Sequence, residues 1–256
     1  MERERRTETA TDIAVVGTDA AELSERIETA GARSAVVDPT GSAGAADAMV
    51  VSGESTLLAR LREGVDVPLL PVEVGGGLDD VSADDLEAAV ESYLAGECSI
   101  DERPQLVVAV DDDRYAALMD VMVVTEEAAR ISEFVVGNLV RDRTQTVDQV
   151  RADGVVVATS VGTPGYGTAA GGPVLGPETS GVAVVPIGPF RIEQKHWVLE
   201  PPISLTVARD DAPVSLLIDD EEVGPVPPHE SIELSWGDPI SLIRTPVSRS
   251  AFDRMR

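Results

Sequence analysis

Asp153-Gly154-Val155-Val156-Val157-Ala158-Thr159-Ser160-Val161-Gly162-Thr163-Pro164-Gly165-Tyr166-Gly167-Thr168-Ala169-Ala170-Gly171-Gly172-Pro173 is the stretch on which the fold turns. An Asp-Gly turn opens it, and a short apolar run rich in β-branched residues follows, which is the pattern of a buried strand. The chain then becomes a loop of small residues that carries five glycines, Thr163 and Tyr166. Glycine at that density lets the backbone take positive φ and approach other groups closely, at an entropic cost. Such a loop directly after a buried strand shapes a pocket or runs along the surface, and spacing alone does not separate the two. The dinucleotide pattern G-x-G-x-x-G is not met.

Upstream, strands and helices alternate. Ile13 to Gly17 reads as a strand, Thr18-Asp19 as turn and N-cap, and Ala20 to Ala30 as a helix with Leu23 and Ile27 on one face. Gly31 closes that helix, and Ser34 to Val37 is a second strand. Ala48 to Val51 is a third strand, followed by Ser52-Gly53-Glu54-Ser55-Thr56 and a helix over Leu57 to Arg62. Val67 to Val72 makes a fourth strand, and Ser82 caps a helix whose buried face is Leu86, Val90 and Leu94. This alternation predicts a parallel α/β domain. After Gly96 the segments become short and often alternating, between clusters of Asp, Gly and Pro. They include Leu106 to Val110, Asp120 to Val124, Glu133 to Leu139, Val182 to Val185, Ser231 to Leu234 and Ile240 to Ile243. That predicts a second, all-β domain. The expected divisions are 1–98 for the α/β domain, 99–236 for the β domain, and 237–256 for a segment that returns to the first.

Composition sets limits on partners. The 256 residues suffice for a substantial core, and the formal net charge of −26 argues against nucleic acid and anionic membranes, which would repel it. Lys195 is the sole lysine beside nineteen arginines. An acidic, lysine-poor surface suits concentrated salt, where self-repulsion is screened. The single cysteine, Cys98, excludes an intrachain disulfide, residues 1–11 lack a signal-peptide core, and no apolar run spans a membrane. A cytoplasmic location is expected. His196 and His229 have no partner at metal-ligand spacing, and the acidic runs Asp111 to Asp113 and Asp219 to Glu222 read by default as solvated turns.

The junction Val51 to Leu58 places a glycine, a carboxylate and hydroxyls where a strand runs into a helix. Free N–H groups and the helix dipole favour anions at such a point, although most such junctions are only turns.

The Asp153–Pro173 stretch resembles the signature of the NAD kinase family, D-G-[apolar]-x-S-T-P-T-G-S-T-A-Y-S-x-S-A-G-G-P. Asp153, Gly154, Thr159, Gly162, Tyr166, Ala170, Gly171, Gly172 and Pro173 match in register, while Ser160, Val161, Pro164 and Gly165 depart from it. Ser52 to Leu58 resembles the family's G-G-D-G-T-L-L. Gly53, Thr56 and the leucines are kept, Ser52 and Ser55 replace glycines, and Glu54 replaces the aspartate. Arg130-Ile131-Ser132-Glu133 falls at the family's leucine-asparagine-glutamate motif, and Glu102 to Leu106 carries its arginine at the start of the second domain. Pro186 to Pro189 with Arg191 to Val198 resembles P-I-x-P-H-x-L-x-x-R-P-x-V, with Lys195 at the arginine.

The resemblance implies a Rossmann-like α/β domain followed by a β-sandwich. It also implies transfer of the terminal phosphate of ATP to the adenosine-ribose 2′-hydroxyl of NAD, with Mg²⁺ bridging the donor phosphates. Glu54 would be the catalytic carboxylate, with Gly53, Ser55 and Thr56 on the phosphates. Ser132, Glu133, Asp153, Thr159, Gly162, Thr163 and Tyr166 would line the nucleotide. Subunits would pair through the β domain as a homodimer or homotetramer, with the Asp153 loop reaching the neighbour's site. The alternative is a paralogue that has lost catalysis and binds or senses NAD(P)(H), because the departures gather in the phosphate and ribose motifs. Glu54 adds a methylene where about 1 Å of misplacement can cost on the order of a hundredfold in rate.

Overall fold

The structure is a computed structural model that describes residues 11–127, 130–140, 143–190, 195–210, 212–250 and 252. Residues 1–10 and Arg191, both used in the sequence reading, lie outside them. The first half is β1 (Asp12–Gly17), α1 (Ala20–Thr29), β2 (Arg33–Val36), β3 (Ala48–Ser52), α2 (Glu54–Glu63), β4 (Leu69–Val72) and α3 (Leu86–Leu94). Its strands pair in parallel in the order β2-β1-β3-β4. Helices form where apolar residues recur three and four apart, and each turns that stripe to the sheet: Leu23 and Ile27 of α1, Leu57, Leu58 and Leu61 of α2, and Leu86, Ala89 and Val90 of α3. Leu94, expected on the buried face of α3, is 37% exposed. It is the last helical residue, just before the chain reverses at Gly96 (φ +74), so the face it belongs to has run past the sheet.

The second half consists of β5 (Ser99–Val110), β6 (Asp113–Ala117), β7 (Asp120–Thr125), β8 (Ser132–Val140), β9 (Arg143–Ala152), β10 (Gly154–Ala158), β11 (Val182–Ile187), β12 (Trp197–Leu199), β13 (Ile203–Arg209), β14 (Val214–Ile218), β15 (Glu221–Pro225) and β16 (Ser231–Arg244). One sheet has the order β12-β11-β10-β7-β14-β15 and is antiparallel throughout. It packs against β5, β6, β8, β9, β13 and the first part of β16 around a core that holds Phe134, Leu106, Val123, Val157 and Leu234. β10 is central in its sheet and buried on both faces. Val155 and Val157 face the sandwich core, while Val156 and Ala158 face a second cluster with Met122, Leu175 and Val185. That two-sided burial is why its sequence is continuously apolar rather than alternating.

β16 joins the halves. Its start pairs antiparallel with β13, and its end lies parallel to β4, with Leu242 opposite Leu69. The chain is therefore an α/β domain and a β-sandwich stitched by one strand. The expected division at 98/99 falls between α3 and β5, and that at 236/237 falls at the bulge within β16.

Candidate functional site

The site is built where the C-terminal end of the parallel sheet meets the sandwich. β3 ends at Ser52, Gly53 turns the chain with φ +88, and α2 begins at Glu54. Ser52 closes a strand and Ser55 lies inside the helix, so the two serines need no left-handed backbone; only Gly53 does. Gly17 packs so tightly beneath this turn that a Cβ on it would lie 2.2 Å from the Ser52 carbonyl oxygen.

Opposite Glu54 lies a pair of carboxylates from the second domain. Asp219 sits in the β14–β15 turn with φ +53, and its carboxylate accepts the backbone N–H groups of Leu118 (3.0 Å), Met119 (2.7 Å) and Asp120 (3.0 Å). Burial raises its pKa, and those three N–H donors and Arg62 pull it back. Asp120, the first residue of β7, is 4% exposed, and its Oδ1 is buried with no partner among the described residues. Burial, then the charges of Asp219 and Glu54, push its pKa up to about 7. Glu54 is also raised, by burial first and then by Asp220 and Asp219. Arg62, two turns along α2 from Glu54, pairs with Asp220 and, at 3.0 Å, with Glu221. One helix thus carries the carboxylate and the clamp that fixes the opposing turn.

Two glycine loops close the walls. Gly76 (φ +59) passes so near Glu54 that a Cβ would lie 3.8 Å from Oε2. Gly77 donates its N–H to the Val161 carbonyl at 2.8 Å, across the boundary between the halves. Thr159 is 2% exposed, and its hydroxyl donates to the Leu118 carbonyl at 2.6 Å while accepting the Val161 N–H at 3.1 Å. Gly162 lies against Met119, where a Cβ would sit 2.1 Å from the carbonyl oxygen. The hydroxyl of Thr163, fully buried, accepts the N–H of Leu175 at 3.1 Å. These threonines hold the loop's shape with their hydroxyls. Tyr166 stands at the rim, 57% exposed.

The expected residues therefore divide. Gly53, Glu54, Ser55 and Thr56 come together with Thr159, Gly162 and Thr163. Asp153 does not join them, because β10 separates it from Thr159 by roughly 20 Å at about 3.3 Å per strand residue. Ser132 and Glu133 lie at Asp153's end, not at Glu54's: Ser132 pairs across the ladder with Ala152, its hydroxyl bonded to Thr125 at 2.9 Å, and Glu133 accepts the Gln149 amide at 2.7 Å. In their place the structure brings Asp120, Asp219 and the Gly75–Gly77 loop to Glu54. A charged residue opening the apolar run Asp120 to Val124 was the available signal for the first of these.

Among the described residues no three His, Cys, Asp or Glu side chains converge as metal ligands. No helix among them is long and apolar enough to cross a membrane.

Residues 118–243 match the family model described as the ATP-NAD kinase C-terminal domain. The chain is 30% identical over 155 residues to the NAD kinase of Methanothermobacter thermautotrophicus, covering 59% of this chain and 53% of that protein. It is 34% identical over 192 residues to the NAD kinase of Gemmatimonas aurantiaca, covering 70% and 64%. The match thus spans between about half and two thirds of these relatives' own length. Among solved structures, an NAD kinase from Archaeoglobus fulgidus in complex with ATP superposes with a TM-score of 0.75 at 20% identity, over 92% of this chain and 94% of that one. Yeast NADH kinase complexed with NADH gives 0.75 at 14% identity, over 96% and 86%. Residues 118–243 thus match the C-terminal domain of the ATP-NAD kinases, and the chain as a whole has the fold of the solved NAD kinase structures.

Proposed function

We propose that the protein is an ATP-dependent NAD kinase that phosphorylates the adenosine-ribose 2′-hydroxyl. The observation that carries the reading is the position of Glu54, on the first turn of α2, facing Asp120 and Asp219 across a cleft walled by two glycine loops. In the proposed reaction the 2′-oxygen attacks the terminal phosphorus and its proton passes to Glu54. The bond to the bridging oxygen breaks and ADP leaves. A carboxylate with a raised pKa is a better base than an ordinary one, provided it is ionised at working pH. Asp120, holding its proton below about pH 7, offers both a donor and an acceptor to ribose hydroxyls. The N-terminus of α2, with Gly53, Ser55 and Thr56, suits the phosphates. Mg²⁺ would come with the donor's phosphates and would neutralise their charge, since no side-chain cluster among the described residues is arranged to hold it.

The loop geometry favours this reading over the paralogue that only binds or senses NAD(P)(H). Gly53 supplies the one turn that needs glycine, and Ser52 and Ser55 sit unstrained. We further propose that the chain works in concentrated salt as a homodimer or homotetramer, with Asp153 serving a neighbouring subunit's site. The test is a coupled assay of NADP formation in molar salt, with calorimetry on NAD and ATP alongside. Turnover that disappears in Glu54→Ala supports the kinase. Dinucleotide binding without turnover transfers the case to the paralogue.

A further inference from the structure

The first half of β5, residues 99–105, is exposed or half-exposed at every position but one, and that one is Arg103, 5% exposed. It lies opposite Ile240 of β16, whose side chain packs in the cluster that holds Leu118, Met119 and Val161. The Arg103 guanidinium pairs with Asp101, two residues along the same strand and so on the same face. Its Nη1 donates to the carbonyl of Pro177 at 2.6 Å, and its Nε is buried with no partner among the described residues. A buried donor left unmet costs stability, and apolar side chains often replace a buried ion pair without loss. Stability alone therefore does not account for a charge at this position. What arginine supplies is reach and a rigid fork, one planar group that holds a carboxylate and a distant carbonyl at once.

Pro177 belongs to the connection between β10 and β11, which begins as the Thr159–Thr163 wall of the cleft and then doubles back on it. Leu175, buried beside Met122 and Val156, donates its N–H to the Thr163 hydroxyl at 3.1 Å. Thr163 in turn donates to the Ser160 carbonyl at 3.3 Å. Thr179 closes a turn on the Gly176 carbonyl at 2.9 Å, and within that turn the Pro177 carbonyl also accepts the Ser160 hydroxyl, at 3.5 Å. The wall is thus backed by a turn, and the turn has two anchors: Leu175 in the sandwich and Arg103 on β5.

We propose that Arg103 is a positioning residue for the nucleotide wall, acting through the Pro177 turn on Ser160 and Thr163; in its effect on substrate this rests on the kinase reading, in which that wall lines the dinucleotide. Without the fork, the Pro177 carbonyl loses its charged donor and the turn keeps only its Leu175 anchor. The wall then loses its backing on the β5 side, while Glu54, carried on α2, stays in place.

The experiment compares wild type, Arg103→Gln and Arg103→Lys in molar salt. Amide hydrogen exchange is read on peptides covering residues 159–163 and 174–181, calorimetry gives the Kd of NAD, and kcat and KM are read in the NADP-forming assay. Glutamine removes both charge and reach, whereas lysine keeps the charge but not the fork. Arg103→Gln is expected to speed exchange in both stretches at least tenfold, with peptides of α1 and α3 within twofold of wild type. Kd and KM for NAD should rise at least fivefold, with kcat and KM for ATP within about threefold. A merely structural loss would lower the active fraction, and with it kcat, and leave both KM values alone. Arg103→Lys should fall between wild type and Arg103→Gln in every readout, with exchange over 174–181 still raised at least threefold. Exchange over 174–181 within twofold of wild type in either variant would overturn the proposal. So would faster exchange spread evenly over the chain, or a fall in kcat with KM for NAD unchanged. If Arg103→Gln does not fold, exchange and KM in Arg103→Lys decide by the same criteria. If wild type forms no NADP, the kinase reading fails, while the exchange pattern alone still decides whether Arg103 holds the wall.

Discussion

Replacing Asp120 by Asn should make the protein more stable at alkaline pH and change little in acid. The native carboxyl is raised from an ordinary 3.8 to about 7, by burial first and then by Asp219 and Glu54. The folded state therefore holds this proton more tightly than the unfolded chain does. The stability it contributes is complete below 3.8 and is lost as pH rises through about 7. Across that window each pH unit removes about 1.36 kcal/mol, so the step from pH 5 to pH 7 is roughly 2.7 kcal/mol. Asparagine has nearly the same shape and no proton to lose. The difference between variant and wild type, from urea unfolding in molar salt at pH 5 and pH 8.5, should grow by roughly that amount with pH. Glu54 and Asp219 titrate in both proteins and largely cancel. If the difference is equal at the two pH values, Asp120 is not the neutral member of the cluster, and the electrostatic account of the site fails.

Glu54→Gln should lower kcat by about 10²- to 10⁴-fold, the usual worth of a general base, with no fall in the unfolding midpoint. In wild type the acid limb of kcat should lie above 4.5, because burial and the charges of Asp220 and Asp219 raise Glu54. Gly162→Ala puts a methyl 2.1 Å from the Met119 carbonyl oxygen, so denaturation should show a loss of about 1–3 kcal/mol and NADP formation should collapse. Raising KCl from 0.1 M to 2 M should raise the melting temperature by several degrees as the Debye length shrinks from about 10 Å to 2–3 Å, relieving a net charge of −26. A flat profile would end the salt-adaptation reading.

Much of the fold was legible because burial is written into periodicity. β10 is apolar at every position because both its faces are covered, and α1 shows Leu23 and Ile27 four apart because only one face is. What was not legible depends on pairing at a distance. The first half of β5 reads Ser-Ile-Asp-Glu-Arg-Pro-Gln, which has no strand pattern, yet it is held antiparallel against β16 from Ser99–Arg244 through Pro104–Pro239. β16 itself reads as two short strands, because Gly237, Asp238 and Pro239 interrupt it where the ladder bulges. Asp120 looks like an ordinary first residue of a strand. Its pKa is raised by burial first and then by Asp219 and Glu54, which only the fold brings to it, and its Oδ1 has no partner among the described residues. Ser132 and Glu133 come to lie at the Asp153 end of the sandwich, and a polar pair before a strand says nothing about which end it will reach.

The position of Asp153 carries the argument furthest. It opens the glycine-rich stretch, yet β10 holds it roughly 20 Å from Thr159, at the end of the sandwich away from Glu54. On the proposed reading, in which Asp153 serves a nucleotide site, that site is a neighbouring subunit's. A closed dimer with one self-complementary interface would place each Asp153 at its partner's cleft. Complementation tests this directly. Glu54→Gln and Asp153→Ala should each be inactive alone. Coexpressed as a random dimer, half of the molecules are hybrids, and each hybrid has one site with an intact Glu54 and an intact Asp153 from the other chain. About a quarter of wild-type turnover should return. If both residues served the same chain's site, neither site of a hybrid would be whole and no activity would return. Full activity in Asp153→Ala alone would remove it from the site altogether.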